Sequence, residues 1–244
     1  MKKILIAILL AAVCQSANAD YENADYKVYV DGKTARFYKG NCLDMKGNLL
    51  SGKAEVRDTL KDGTMFGTSC IDGKESGTRA YYKSGALKFE IAPKDANTEE
   101  MRSYYESGAL ENIIPYKNGK SEGIVKGFYE SGKLKSEMPY KNGDRDGISK
   151  VYYENGRLKE EIPMDGIGKI YYEDGNLEKE IAFKNGTKEG EMKVLRKNGT
   201  TWGIFTYKND KAISGVCHLT NGQKAPFTEA ELENWNNGFK INCE

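Results

Sequence analysis

The sequence has few of the residues that enzymes and metal proteins use in their sites. Its 244 residues include one histidine, His218, and five cysteines without Cys-x-x-Cys spacing. It has no Gly-x-Ser-x-Gly, phosphate-loop or His-Glu-x-x-His motif. We therefore expect no catalytic residue, no cofactor and no metal. A hydrolase with paired carboxylates is the weaker alternative, because the carboxylates recur in every copy of a repeat, opposite basic residues.

Long apolar runs and an excess of one charge are also missing. Hydrophobic residues make up 39% of the chain and charged residues 30%, which favours a thin apolar layer over a thick core. Basic and acidic residues number 37 and 36 and alternate along the chain, so nucleic-acid binding is not expected. Beyond Ala19, no run is apolar enough to span a bilayer.

The segment from Met1 to Ala19 differs from the rest of the chain. Lys2 and Lys3 precede a short apolar run from Ile4 to Val13, and Ala17-Asn18-Ala19 is a small-x-small cleavage motif. This pattern predicts a secretory signal peptide over residues 1–19. The protein is therefore expected to be exported, as a periplasmic, cell-surface or extracellular protein.

What the chain does contain is a repeated segment with a pair of aromatic residues before a glycine turn. Copies begin at Tyr81, Tyr104, Phe128, Tyr152 and Tyr171. The turn glycines recur at a nearly constant spacing, and they are Gly85, Gly108, Gly132, Gly156, Gly175, Gly199 and Gly222. The interval from Gly156 to Gly175 is shorter than the others because of a deletion in a connecting turn. A fixed period of this kind indicates a tandem repeat architecture.

Each period contains two turns and two short extended runs, which predicts a β-hairpin. A two-residue turn at Asn155-Gly156 would place Tyr153 opposite Leu158 and Lys150 opposite Glu161. The same register pairs opposite charges in three other hairpins, at Arg79 and Glu90, Lys126 and Glu137, and Lys169 and Glu180. Because side chains alternate along a strand, the sheet has one apolar and one charged face.

The recurring tyrosines and leucines are the candidate binding face. We expect the second tyrosine of each pair to lie on the apolar face with the leucine that follows the turn, as Tyr82, Tyr105, Tyr129, Tyr153, Tyr172, Leu110, Leu134, Leu158 and Leu177. The first aromatic residue of each pair should lie on the charged face. The alternative is that both rows only stabilise strand pairing. An apolar face left uncovered would mark a partner site.

Four cysteines remain after the predicted cleavage, and in an exported chain they suggest two disulfides. Three pairings are possible. We favour Cys42–Cys70 and Cys217–Cys243, because one pair precedes the clearest repeats and the other follows them, where terminal repeats need protection.

The chain ends differ from the repeats. Residues 20–78 read as a degenerate cap that opens with a hairpin around Asp31-Gly32, 79–222 as the repeat array and 223–244 as a C-terminal cap. In the C-terminal cap, Thr228-Glu229-Ala230-Glu231 is a capping box that predicts a short helix carrying Leu232 and Trp235.

The repeated pattern, from the tyrosine pair through Gly-x-Leu-Lys to Lys-Asn-Gly, resembles the MORN-variant repeat family. The resemblance covers about residues 79 to 222 and implies an elongated antiparallel sheet of stacked hairpins. It also implies kinship with bacterial proteins labelled YwqK-type antitoxins, although a signal peptide does not suit a partner of a cytosolic toxin.

Together these patterns predict an all-β, elongated antiparallel sheet of tandem hairpin repeats of about 24 residues each, with a short C-terminal capping helix. We expect a non-enzymatic exported protein that offers a binding or scaffold surface to a protein or cell-envelope component. The alternatives are carbohydrate or peptidoglycan binding by the tyrosines and antitoxin-like inhibition of an exported toxin. Self-association is another way to bury an uncovered face.

Overall fold

The computed structural model describes residues 26–30, 33–38, 41–44, 46–59 and 65–243. The predicted signal peptide lies outside these residues. The chain forms two compact units: residues up to Gly132 together with Lys141–Gly143, and Lys133–Tyr140 together with Asp144–Glu244. Within the described ranges, no helix has the length and apolar character needed to cross a membrane.

The first unit is built from antiparallel strands. They are β1 (Tyr26–Val30), β2 (Lys33–Tyr38), β3 (Asn41–Asp44), β4 (Lys53–Thr59), β5 (Met65–Ile71), β6 (Lys74–Tyr81), β7 (Leu87–Pro93), β8 (Thr98–Tyr104), β9 (Leu110–Lys117), β10 (Lys120–Ser121) and β11 (Gly123–Phe128). Strands β4 to β9 pair in chain order, and β9 also pairs with β10 and β11. The hairpin predicted around Asp31-Gly32 is confirmed by the pairing of β1 with β2.

The second unit continues the same pattern and adds a helix. Its elements are β12 (Leu134–Lys141), β13 (Asp144–Arg145), β14 (Ser149–Tyr152), β15 (Leu158–Ile162), β16 (Gly166–Tyr171), β17 (Leu177–Lys184), β18 (Thr187–Leu195), β19 (Thr201–Lys208), β20 (Lys211–His218), β21 (Lys224–Pro226) and α1 (Glu229–Asn236). Strand β12 pairs with β14, and β14 to β21 pair in chain order. The predicted all-β antiparallel class and the C-terminal helix are confirmed.

The predicted two-residue turn at Asn155-Gly156 is wrong. The Tyr153 N–H donates to the Arg157 carbonyl, and the Gly156 N–H donates to the Tyr153 carbonyl, both at 2.8 Å. The loop therefore has three residues and places Gly156 at φ +86°, in the left-handed region that glycine accepts most readily.

A β-bulge then restores the predicted register in the body of the hairpin. Tyr152 pairs with Leu158, but Val151 pairs with Glu160, which leaves Lys159 as the extra residue. The bulge offsets the longer loop, so Lys150 lies opposite Glu161 as predicted. The predicted pairs Arg79–Glu90 and Lys169–Glu180 are confirmed for the same reason, and the pair Lys126–Glu137 stays a prediction.

Both favoured disulfides are present. Cys42 and Cys70 have their Cα atoms 6.3 Å apart, and Cys217 and Cys243 have theirs 5.5 Å apart. All four cysteines are buried. The second bridge fixes the end of the chain to β20.

The C-terminal helix begins as the sequence predicts. The Thr228 side chain accepts from the Glu231 N–H, and the Glu231 carboxylate accepts from the Thr228 N–H, which completes the capping box. The helix ends at Asn236, Asn237 is its C-cap, and Gly238 follows at φ +80°. The helix brings Trp235 onto β19, where its indole N–H donates to the Tyr207 hydroxyl at 2.7 Å.

Candidate functional site

The second tyrosine of each pair connects its own hairpin to the next one. Four of these hydroxyls donate to a backbone carbonyl one repeat further along the chain, from Tyr82 to Tyr104 (2.8 Å), Tyr105 to Phe128 (2.8 Å), Tyr153 to Tyr171 (2.7 Å) and Tyr172 to Leu195 (2.8 Å). The fifth, Tyr129, is half-buried like the others. The hydroxyls of the first four tyrosines therefore serve the scaffold, and their rings are left to meet a ligand.

Burial makes these tyrosines harder to ionise. It is the main reason why the pKa of Tyr82, Tyr105, Tyr153 and Tyr172 lies above the ordinary value of 10.0. Nearby carboxylates add to the effect, as Glu178 does for Tyr153 and Tyr172. The neutral phenol, which can donate a hydrogen bond, is therefore favoured in the folded state.

The leucines of the candidate face pair with the first tyrosines, whereas the sequence predicted pairing with the second. Tyr104 lies opposite Leu110, Tyr152 opposite Leu158, and Tyr171 opposite Leu177. The three-residue loop causes this difference, because it moves each leucine by one position at the hairpin tip. Leu110, Leu134, Leu158 and Leu177 are all half-buried.

A different repeat position shows which part of the apolar face is covered. Four residues after each leucine the chain has an apolar residue, and Ile91 and Ile114 of the first unit are half-buried there. In the second unit the same position is half-buried at Met138 and Ile162. It then becomes fully buried, with 2% exposure at Ile181 and 0% at the corresponding Phe205.

The covering material is the C-terminal segment of the chain itself. Phe205 stacks on Trp235 and on Phe227, with ring centroids 4.4 Å and 4.9 Å away. Ile181 and Cys243 belong to the same buried cluster. The segment from Phe227 to Cys243 therefore acts as a lid of aromatic side chains over the last hairpins only.

The C-terminal sheet edge is closed as well. The Asn236 side-chain amide accepts from the Ala212 N–H at 2.8 Å and donates to the Ala212 carbonyl at 2.9 Å, as a paired strand would. Further along β20, the short β21 pairs with Val216 to His218. These contacts protect β20 from edge pairing.

The opposite face of the second unit carries a ladder of alternating charge. Six consecutive strands place one residue each in register, and these are Glu137, Lys150, Glu161, Lys169, Glu180 and Lys193. The sequence predicted the pairs inside a hairpin, and the structure adds the pairs between hairpins. We name this set the charge ladder. Its Lys150 and Glu161 form an ion pair at 3.8 Å.

Two of the first tyrosines, Tyr104 and Tyr152, donate to carboxylates of the charged face, where the sequence places them. Tyr152 donates to Glu137 at 3.0 Å. In the first unit Tyr104 donates to Glu90 at 2.8 Å, while Arg79 pairs with the same carboxylate at 3.3 Å. Burial, followed by the hydrogen bond to Glu90, raises the pKa of Tyr104.

A second kind of link joins the hairpins at turns that contain an asparagine, followed by glycine at Asn142 and Asn185 and by Asp210 at Asn209, and sequence reasoning missed it. An acidic residue that precedes a glycine accepts the N–H of the next turn's asparagine, from Asn142 to Glu122 (2.7 Å), Asn185 to Asp165 (2.9 Å) and Asn209 to Glu189 (2.9 Å). The recurring acidic-Gly dipeptide was the available signal. Asp165 keeps this link although its connection is the one shortened by the deletion.

Exposed isoleucines on the charged face were missed too. Ile124, Ile148 and Ile167 each follow a glycine that an acidic residue precedes, and they are 50%, 48% and 55% exposed. Each lies two residues before a lysine of the charged face, so alternation places it on that face. Over the described ranges, no three His, Cys, Asp or Glu side chains come together in a way that could hold a metal ion.

Comparison with protein families identifies the repeat. Four consecutive stretches, residues 100–118, 121–142, 145–165 and 164–185, match the MORN repeat variant. Repeats of this type are generally associated with binding and scaffold roles. Comparison with curated proteins gives no match.

Proposed function

We propose, from the premise that this chain carries tandem MORN-variant repeats, that it is an exported scaffold whose apolar face binds a protein or cell-envelope component. The observation that carries the proposal is the change in burial at one repeat position. Phe205 is fully buried beneath the chain's own C-terminal segment, whereas Ile114 and Ile162 are half-buried at the same position. Apolar surface of this kind marks a partner site.

The C-terminal segment indicates what kind of partner fits this face. It covers the last hairpins with Phe227 and Trp235, two flat side chains that stack on Phe205. Aromatic rings bury a large area at low entropic cost, which suits a repeated and nearly flat surface. The partner is therefore a protein segment that presents aromatic or aliphatic side chains.

The proposed role is binding without catalysis. The hydroxyls of Tyr82, Tyr105, Tyr153 and Tyr172 are engaged in contacts between hairpins, and so are the carboxylates that accept from the turn asparagines. Groups that repeat in this way support the scaffold in every copy. The weaker hydrolase alternative would need a pair of carboxylates set apart from this pattern.

Export is supported by the two buried disulfides. Disulfides persist in oxidising compartments and are rare in the cytosol. Cys42–Cys70 lies in the first unit and Cys217–Cys243 in the second. Cell fractionation, with a marker for each compartment, tests this part of the proposal: recovery of the protein from the cytosol in reduced form would contradict it.

Photo-crosslinking in the native cells tests the binding face. A benzophenone side chain is introduced at Ile114 or at Ile162 on the half-buried part of the face. The matched controls are Ile181, beneath the C-terminal segment, and the exposed turn residue Lys133. We expect a defined intermolecular adduct from the first two positions and none from the controls. The proposal fails if the two test positions give no adduct, or if Lys133 gives the same one.

Experiments on the same protein also test the two alternative functions. Peptidoglycan or glycan fragments that quench tyrosine fluorescence of the wild-type chain would support the carbohydrate alternative. An adduct whose partner is an exported toxin, together with loss of toxicity on mixing, would support the antitoxin-like role.

A further inference from the structure

We infer that the charged face of the second unit is a self-association surface, and that its occupant is a second copy of this chain. The inference goes beyond the proposed function, because it concerns the face opposite the apolar one. It rests on two parallel features: the charge ladder and, beside it, a row of apolar side chains in which two isoleucines are exposed.

The apolar row follows from the strand register. Ser149 pairs with Ile162, so one position further on Ile148 lies beside Pro163. Glu161 pairs with Lys169 in the antiparallel pair of β15 and β16. Two residues after Glu161 and two residues before Lys169, the same register brings Pro163 beside Ile167. On the other side, the Asp146 N–H donates to the Pro139 carbonyl at 3.0 Å, and the Pro139 ring lies against Gly147, so Pro139 is next to the segment that leads into Ile148.

Proline and isoleucine therefore alternate within or directly next to the adjacent strands β12, β14, β15 and β16. We name Pro139, Ile148, Pro163 and Ile167 the proline–isoleucine row. The row ends at Ala182, which pairs with Ile167.

The exposed isoleucines of this row occupy one recurring position of the repeat. Ile148 and Ile167 are 48% and 55% exposed, and both follow a glycine with φ near +110°, Gly147 at +109° and Gly166 at +113°. The first unit repeats the arrangement at Gly123 and Ile124, where φ is again +109° and the isoleucine is 50% exposed. Single exposed apolar residues are ordinary, but the same exposed residue at one position of successive repeats is a surface feature.

The charge ladder explains why a second copy is the fitting occupant. Its sign changes at every strand, at a spacing of about 4.8 Å. A copy related by a two-fold axis presents the same spacing, so the lysines of each copy can meet the glutamates of the other. An unrelated partner would have to match that spacing over six strands.

The overall charge does not oppose this association. The chain has 37 basic and 36 acidic residues, a formal net charge of +1. Two copies therefore repel each other weakly, and a net charge near zero favours association.

An alternative role for the isoleucines is strand formation, since β-branched residues favour strands. Threonine shares that branching and has nearly the same shape as valine, but it carries a hydroxyl where isoleucine carries an ethyl group and valine a methyl group. Valine keeps the branching and remains apolar. The pair of substitutions Ile→Thr and Ile→Val therefore separates apolar contact from strand propensity.

The experiment is sedimentation velocity over a concentration series, with the full mature chain in its disulfide-bonded form. We expect the wild type to pass from monomer to dimer as its concentration rises. The variant I148T/I167T should dimerise on the order of 100-fold more weakly, because four isoleucines leave the interface. The matched variant I148V/I167V should dimerise nearly as well as the wild type. Added salt should weaken the wild-type dimer through the charge ladder.

Far-ultraviolet circular dichroism on each variant separates loss of association from loss of fold. A wild type that stays monomeric at all concentrations would overturn the inference. So would a dimer that I148T/I167T leaves unchanged, since its interface would lie elsewhere, or equal weakening by the valine variant. The proposed partner site is tested separately, because photo-crosslinking from Ile114 and Ile162 should persist in I148T/I167T.

Discussion

Tyr153 donates its hydroxyl hydrogen to the backbone carbonyl of Tyr171, 18 residues further along the chain, at 2.7 Å. The contact joins one hairpin to the next at the turn edge. Its equivalents start from Tyr82, Tyr105 and Tyr172. A single side chain per repeat therefore contributes both a half-buried ring and a link between neighbours, which suits a sheet with too few apolar residues for a thick core.

Removal of that one hydroxyl should destabilise the second unit. Tyr153→Phe keeps the ring but leaves the Tyr171 carbonyl without its donor, and we expect a loss of about 1 kcal/mol in the free energy of unfolding. Urea unfolding followed by tryptophan fluorescence measures it. The matched control is Tyr171→Phe, which removes a hydroxyl that bonds to no described residue. This variant should unfold like the wild type. Equal losses in both variants would contradict the role given to Tyr153.

The raised pKa values of these tyrosines predict a loss of stability at high pH. Above pH 10 the tyrosines of the unfolded chain ionise, while those of the folded chain keep their protons, so the unfolded state binds fewer protons. The contribution is complete below pH 10 and is lost as pH rises through the folded-state pKa. Urea midpoints measured from pH 8 upward should be steady and then fall. The variant Tyr153→Phe/Tyr172→Phe should show a shallower fall, and an unchanged slope would count against this assignment.

The charge ladder predicts an unusual outcome for a charge swap. In an isolated pair, the double variant Lys150→Glu/Glu161→Lys would restore the stability that either single variant loses. Here the new glutamate at position 150 would stand beside Glu137, and the new lysine at position 161 beside Lys169. Like charges directly opposite each other cost up to about 1 kcal/mol per pair. The swap should therefore remain destabilising in urea unfolding at low salt and recover in high salt. Full recovery at low salt would show that Lys150 and Glu161 act as an isolated pair.

Removal of the second disulfide should release the C-terminal segment. We expect Cys217→Ser/Cys243→Ser to lose about 2–5 kcal/mol in the free energy of unfolding of the second unit. The chain has two tryptophans, and both belong to the covered cluster, with Trp202 and Trp235 5.8 Å apart. Tryptophan emission therefore reports on this region and should shift to the red at lower urea concentrations. The matched variant Cys42→Ser/Cys70→Ser lies in the first unit and should leave that transition in place.

Much of the fold was readable from the sequence because its local signals agree. Glycine turns, alternating side chains and charge pairs predicted hairpins, and the positions of the cysteines favoured the disulfides that form. The loop at Tyr153 to Arg157 was misjudged, because an Asn-Gly pair suits both a two-residue turn and a three-residue loop with a bulge. The bulge at Lys159 has no sequence signal of its own, and it returned the register to the predicted one.

The surfaces were less predictable than the strands. Alternation shows which side of a sheet a residue faces, but it does not show what lies on that side. The full burial of Phe205 follows from where Phe227 to Cys243 pack, whereas Ile162 at the same repeat position is only half-buried. Likewise, the position of Ile148 beside Pro163 depends on pairing between hairpins, which a register worked out inside one hairpin does not contain.

Methionine oxidation tests the central claim most directly, namely that part of the apolar face is open to a partner. Met101 of β8 and Met138 of β12 are half-buried, and Met192 of β18 lies in the cluster under the C-terminal segment. Peroxide should oxidise Met101 and Met138 of the purified protein well before Met192, as mass spectrometry of the peptides would show. Envelope extract should slow the oxidation of Met101 and Met138 and leave half-buried Met164 unaffected. Equal rates for all four methionines, with and without extract, would contradict the account.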